Sequence, residues 1–264
     1  MANAPVYYAL AQARFNPVAA MEQYVATIQD SLRFQGYPLF EQSQVVRLIV
    51  PAAGQAPPAE PQTLRTTFWT ITRSDRAAGY VLTSSDIFYH TTRYETHDEF
   101  LRELLRGLAA VHEATRLDHV SRLGLRYLDA VLPRDGESVE QYLVGGLHGM
   151  EFDAVPRYRM TESIFETHPG PLVTTGTLVT RVLKITAPLG FPPDVPPHGL
   201  TLDSRFDIKE PRTHAVIDTD HFVEGPMPLD TDKLREELLS LHATIKSVFQ
   251  AMTTDHARHV WAQV

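Results

Sequence analysis

Two arginines flank a glycine in the stretch Arg122-Leu123-Gly124-Leu125-Arg126-Tyr127. Alternate side chains of an extended segment share a face, so Arg122 and Arg126 point to one side with Gly124 between them. Two guanidinium forks around a bare position can grip a carboxylate or phosphate while the ligand approaches the backbone. The competing arrangement pairs both arginines with Asp or Glu on adjacent strands. Tyr127 and Trp69 join them as candidate ligand-binding residues. Phe68-Trp69 places one ring on each side of a strand, so one is free to stack on a ligand, with core packing as the competing role for each aromatic.

A second cluster lies in His214-Ala215-Val216-Ile217-Asp218-Thr219-Asp220-His221. On a strand His214, Asp218 and Asp220 share a face, and three such donors can hold a divalent metal. The competing reading is the solvated side of a half-exposed strand. His256 and His259 sit beside Asp255 near the C-terminal end, and His148 lies among glycines. Glu236-Glu237 read as solvated charges on the last helix. No G-x-G-x-x-G follows a strand, and there is no Walker A lysine loop, G-x-S-x-G elbow or H-E-x-x-H. The 264 residues contain no Cys, which excludes disulfides, thiolate metal centres and a Cys nucleophile.

The elements that must position these residues follow from periodicity. Val6 to Phe15 reads as a strand stopped by Asn16-Pro17, and 18–35 as a helix with Met21, Tyr24, Val25, Ile28 and Leu32 on one face. Strands are predicted at 45–50, 64–73, 79–90 and 120–132, with an amphipathic helix from His97 to His112. Ser138 caps a short helix reaching about Leu147. Strands at 159–167, 176–187, 200–208 and 213–223 precede a long helix over 231–252. Residues 51–62 and Pro188 to Pro197 are proline-rich and read as surface loops.

These elements repeat. A shift of 134 residues places 80–105 on 214–239, aligning Asp86, Phe88, Asp98, Glu103, Leu104 and Leu105 with Asp220, Phe222, Asp232, Glu237, Leu238 and Leu239. Glu22-Gln23-Tyr24-Val25 recurs as Glu140-Gln141-Tyr142-Leu143. The expectation is an α+β fold of two related strand–helix–multistrand–helix halves, 1–118 and 119–264, with largely antiparallel sheets under long helices and one extra strand in the second half. The shift also sets Ser84 and Asp86 against Asp218 and Asp220, which favours a structural origin for that acidic pair.

With 32 acidic against 24 basic residues the net charge is −8, and no basic run exceeds two residues. Nucleic acid is therefore not an expected partner, since phosphate neutralisation drives such binding. No stretch approaches the ~20 apolar residues of a spanning helix. Met1-Ala2-Asn3-Ala4-Pro5 lacks the pattern of a secretory signal, and a cytoplasmic location without membrane contact is expected.

The Arg-Leu-Gly-Leu-Arg-Tyr strand, the earlier Phe68-Trp69, and Leu241-His242 through Phe249 with Met252-Thr253-Thr254-Asp255 behind it form a combination. It resembles a sporadically distributed family of uncharacterised bacterial proteins of about this length. The family usually has Asn shortly after the strand's Tyr, where this chain has Leu128-Asp129. The resemblance implies a fold and no activity, cofactor or catalytic residue. The reading that follows is a non-enzymatic binding or accessory protein, holding a partner protein or small anionic ligand in a groove between the halves, with a homodimer possible. No cofactor is expected. A metal-dependent or anion-processing enzyme is the alternative, and a nucleic-acid-linked defence or toxin–antitoxin factor the second.

Overall fold

In the computed structural model, which describes residues 3–48 and 63–263, the middle of the molecule is an antiparallel pair of strands. They are β1 (Val6–Phe15) and β6 (His119–Val131). From Tyr8 to Arg14 their pairing runs without a register shift, and side chains alternate between the faces. Ala9, Ala11 and Ala13 face the same side as Tyr127, Leu125 and Leu123, while Leu10 and Gln12 share the other side with Arg126 and Gly124. One face is thus small and apolar enough to seat helices, and the other carries the arginines.

The sheet grows outward from this pair. On one flank lie β2 (Leu39–Leu48), β3 (Thr63–Thr72), β4 (Ala78–Leu82) and β5 (Asp86–Thr91); on the other lie β7 (Tyr158–Thr167), β8 (Gly176–Ala187) and β9 (Arg212–Pro228). The nine-stranded order is β2-β3-β4-β5-β1-β6-β9-β8-β7. Every pairing between neighbours is antiparallel. The two chain halves join edge to edge at β1–β6 in one continuous sheet.

The expected strand at 200–208 does not form. That segment is a loop with a 3-10 turn at Ser204–Phe206, started by Asp203, whose side chain accepts from the Arg205 N–H. Its apolar residues bury one at a time: Leu200 and Phe206 pack with Tyr7, Tyr8 and Leu128. The extra strand belongs instead to the first half, because the apolar run 79–90 breaks at Thr83. The Thr83 hydroxyl oxygen accepts from the N–H groups of Ser85 and Asp86, and this side-chain turn folds the run into the β4–β5 hairpin. The loop expected at 51–62 lies outside the described residues.

Helices cover one face. They are α1 (Met21–Phe34), α2 (His97–Thr115), α3 (Thr231–Met252) and α4 (Asp255–Ala262). α2 begins where Thr96 accepts from the Glu99 N–H and ends at Arg116 in the left-handed region, φ 57°. Its apolar stripe, including Leu101, Leu104 and Leu108, enters a core shared with α1, α3 and both central strands. The segment aligned with the start of α1 forms only short 3-10 turns at Val139–Gln141 and Gly145–Leu147, the first closed by a reciprocal Ser138–Gln141 cap.

Two carboxylates sit at aligned positions of α2 and α3. Glu103 is buried and accepts from Tyr37 Oη (2.9 Å), Tyr80 Oη (2.9 Å) and Arg106 Nη1 (2.6 Å). Glu237, expected to be solvated, has 0% exposure and accepts from the Leu172 N–H at 2.9 Å. The correction has a physical cause: the 168–175 segment folds against α3, and its backbone needs an acceptor there. Among the described residues no helix is long and apolar enough to cross a membrane.

Gly107 of α2 tests this packing. A Cβ there would lie 2.5 Å from Tyr80 Cε1, one of the rings held by Glu103. Gly to Ala in a helix normally gains about 1 kcal/mol. Overpacking costs about 1–3 kcal/mol, and here it displaces a hydrogen-bonded ring. Gly107→Ala should therefore lower stability in urea unfolding, despite the better helix former.

Candidate functional site

The face without helices is partly roofed by the 188–211 loop. Leu189, Val195, Leu200 and Phe206 pack on Tyr7, Tyr8, Leu128, Ala130 and Val216, so one end of the face is closed. Arg126 pins the loop. Its Nη1 donates to Asp194 at 2.7 Å, and its Nε and Nη2 donate to Asp218 at 2.8 and 2.7 Å. Beyond this roof the sheet is open, forming a groove of about 450 Å³.

The sheet register builds the groove floor. Gln12, Gly124 and Phe222 lie side by side across β1, β6 and β9, and Phe88 of β5 pairs with Gln12 on the far side. Phe68 and Phe88 form an aromatic wall, against which the His198 ring packs at 5.4 and 5.5 Å. The 197–199 turn presents that ring: His198 has φ 43° and Gly199 has φ 82°. Arg76 holds the turn, donating to the Gly199 carbonyl and to Glu41, and Thr201 N–H donates back to the Arg76 carbonyl.

Arg122 and Arg126 both line the groove, but they are not equivalent. Burial opposes the charge of Arg126, yet its bonds to Asp218 and Asp194 outweigh that and hold the guanidinium above its ordinary range. Arg122 donates to Gln12 and lies over the Phe222 ring, 4.0 Å from its centroid. Its carboxylate neighbours are farther away, Glu224 at 3.6 Å and Asp220 at 3.9 Å. Burial lowers the Arg122 guanidinium from its ordinary value, with Asp220 only partly opposing this, while burial raises the Asp220 carboxyl against the pull of Arg122 and Arg126. Both partners of a well-made pair would shift toward their charged forms. These two shift the other way, so their charges are under-compensated.

Gly124 has a definite role. A Cβ there would meet Phe222 Cβ at 3.2 Å and Arg122 Nη1 at 3.4 Å. The missing side chain makes room for the Arg122 guanidinium to fold back over the strand onto Phe222. It thereby sets that arginine's position in the groove floor.

The two aromatic candidates point away from the groove. Trp69 is buried in the core under the helices, whereas its neighbour Phe68 lines the groove. Tyr127 is also on the helical face, 3% exposed, with its hydroxyl 3.4 Å from Tyr94 Oη and 3.3 Å from His242 Nδ1. Two of the three candidate metal donors have other partners, and the third, Asp220, has among the described residues only Arg122 near it, at 3.9 Å. His214 Nδ1 faces the Arg212 carbonyl at 2.9 Å, and Asp218 is held by Arg126, with Arg181 at 3.5 Å. Among the described residues no group of three or more His, Asp or Glu side chains is placed to hold a metal ion. His148, His256 and His259 engage Leu143, Glu137 and Gln263.

The groove also uses Gln12, Phe88 and His198, which sequence reasoning did not single out. The signal for Phe68 was present in the alternation of Phe68-Trp69. His198 lies between Pro197 and Gly199, which mark a turn, but nothing local in the sequence says that the turn seats its ring on Phe68 and Phe88. No protein-family model matches the chain, and no curated protein matches it either.

The Arg126 network makes a graded prediction. Removing one partner of a buried pair costs about 3–5 kcal/mol, and Arg181 remains near Asp218, so Arg126→Ala should destabilise by about 3 kcal/mol. Asp194 is exposed, and Asp194→Ala should cost under about 1 kcal/mol. Urea unfolding of the two variants checks the ranking, and hydrogen exchange should show faster opening of the 188–197 loop in both.

Proposed function

We propose that this chain is a non-enzymatic binding protein that takes a small anionic ligand in the open-face groove where its two halves meet. The anionic group lies on Arg122, and a planar or apolar body lies against Phe68, Phe88 and His198. The observation that carries this reading is Arg122 itself. It is a half-buried guanidinium in a groove floor, with an aromatic ring beneath it and no short carboxylate contact. A ligand carboxylate or phosphate supplies the bidentate acceptor that Asp220 and Glu224 do not.

We further propose that the halves descend from one duplicated unit. Supporting this, α2 and α3 start at residues 97 and 231, and the buried Glu103 and Glu237 fall at aligned positions. The strand order is also mirrored about β1–β6, with β5 beside β1 and β9 beside β6. The resemblance to a bacterial family of unassigned activity is compatible with this reading and adds no substrate to it.

A partner protein is the second reading, favoured by one observation. The edge strand β7 exposes Tyr158, Met160, Ile164 and Phe165, and Met150, Phe152 and Val155 are exposed just before it. Unpaired edges of this kind accept an added strand.

Thermal shift and NMR titration with inorganic phosphate, benzoate and adenosine monophosphate distinguish these readings. A saturable response should appear with an anion joined to a ring, and Arg122→Met should weaken it about ten- to hundredfold, the worth of a charge-assisted bond. Equal binding by Arg122→Met, or silence to every anion, rejects the groove reading. Concentration-dependent self-association abolished by Ile164→Lys would then favour the edge.

A further inference from the structure

On the helical face, the opposite side of the sheet from the groove, lies a cavity of about 590 Å³ between the N-terminal end of α2, the middle of α3 and strand β6. Asp129 projects into it. This residue is 4% exposed, and no hydrogen bond or salt bridge to its carboxyl is formed among the described residues. A buried charge without a partner is strongly disfavoured. Burial, with a smaller contribution from Asp218 across the sheet, raises its carboxyl to about 7.

The surroundings of Asp129 fit a cation. Tyr94 and Tyr127 stack edge to face at 5.2 Å, and Phe249 lines the same space, so three aromatic rings share the cavity with the carboxyl. His242 packs flat on His97, 4.7 Å between ring centroids. Burial, His97 and Lys246 together push His242 down to about 4, so it is a neutral acceptor at neutral pH. Lys246 is the one ammonium among the described lining residues, against the carboxylates of Glu95, Asp98 and Asp129. Asp98 is already held by Arg235 at 2.6 Å. The balance left inside is negative, with an apolar wall from Val6, Leu239 and Ile245.

We infer that this cavity is a second ligand site, for a small organic ammonium ion whose charge pairs with Asp129 and whose apolar body lies among Tyr94, Tyr127 and Phe249. An ammonium supplies the missing counter-charge and donors, and the rings add cation–π attraction. The site is spatially distinct from the groove, sharing none of its lining residues.

The test uses three probes of similar shape, followed by NMR on the full chain: phenethylammonium, the neutral 2-phenylethanol, and the anion 3-phenylpropionate. The ammonium should bind best. Its affinity should fall about tenfold per pH unit below about 7, as the carboxyl takes up a proton, and level off above. Asp129→Asn, which keeps the shape, should weaken it about ten- to hundredfold and remove the pH dependence. Preference for the alcohol or the anion, binding unchanged in Asp129→Asn, or no binding by any probe overturns the assignment.

Stability gives a second readout without ligand. Between the ordinary carboxylate value of 3.8 and about 7, the folded protein keeps a proton on Asp129 that the unfolded chain has released. Asp129 therefore lowers stability progressively across that window, and by a constant amount above it. His90 and His242, held down to about 3 and about 4, act with the opposite sign. The difference between wild type and Asp129→Asn isolates the carboxyl: the variant's Tm should gain from pH 4 to 7 and then stay parallel. A constant offset across this range would mean that Asp129 is not the unpaired acid inferred here. Arg122→Met should leave phenethylammonium binding intact, so failure at this site and failure at the groove are separable.

Discussion

Everything in this molecule hangs on the register of β6 between β1 and β9. A strand has a period of two, so a slip of one residue would exchange its faces. The observed register sends Leu123, Leu125, Tyr127 and Asp129 toward the helices, and Arg122, Gly124 and Arg126 toward the open groove. Small residues on β1 reinforce that choice, because Ala9, Ala11 and Ala13 let helices pack close to the sheet centre. On the other face Gln12 meets Arg122 and Gly124 permits its guanidinium to lie flat. The same constraint that closes the core therefore prepares both cavities.

The buried carboxylates separate what serves stability from what is available to a ligand. Glu103 collects two phenols and an arginine, and Asp218 collects the fork of Arg126. Such groups fix side chains that would otherwise be adjustable, and removing one partner leaves the other uncompensated. Arg122, Asp220 and Asp129 lack that closure. Desolvation dominates each, and no short opposite charge restores it. A fold keeps few such groups without use, since each subtracts from a net stability of only about 5–15 kcal/mol.

Much of the architecture was legible in the sequence because period is a local property. The stripe of Leu101, Leu104 and Leu108, the helix start at His97, and the β-branched runs of β8 and β9 all announce themselves within a dozen residues. What was not legible is non-local. The run 79–90 reads as one strand until the Thr83 hydroxyl takes two backbone donors and breaks it. Residues 200–208 look extended, but their apolar side chains are drawn singly into a roof over Tyr7 and Leu128. Glu237 reads as surface until the 168–175 segment covers it. For the site, the arginine pair was visible from spacing alone, and so was the pairing that competes for Arg126. That Arg122 escapes a comparable pairing depends on Gln12 and Phe222, which are brought in by strands 110 residues earlier and 100 later.

The two cavities lie on opposite faces, yet they are not electrically separate. Asp218 points to the groove side, where it holds Arg126, and its charge also raises the Asp129 carboxyl on the helical side. Leu128, which pairs with Asp218 in register, is the residue before Asp129, so only the thickness of the sheet lies between the carboxylates. A low-dielectric layer transmits charge better than water does. Anything that draws Arg126 from Asp218 leaves more uncompensated negative charge beneath Asp129 and holds its proton more firmly. Such coupling is reciprocal by linkage, and its path is one strand thick. The sheet that separates the groove from the cavity is also the medium through which the charge state of each acts on the other.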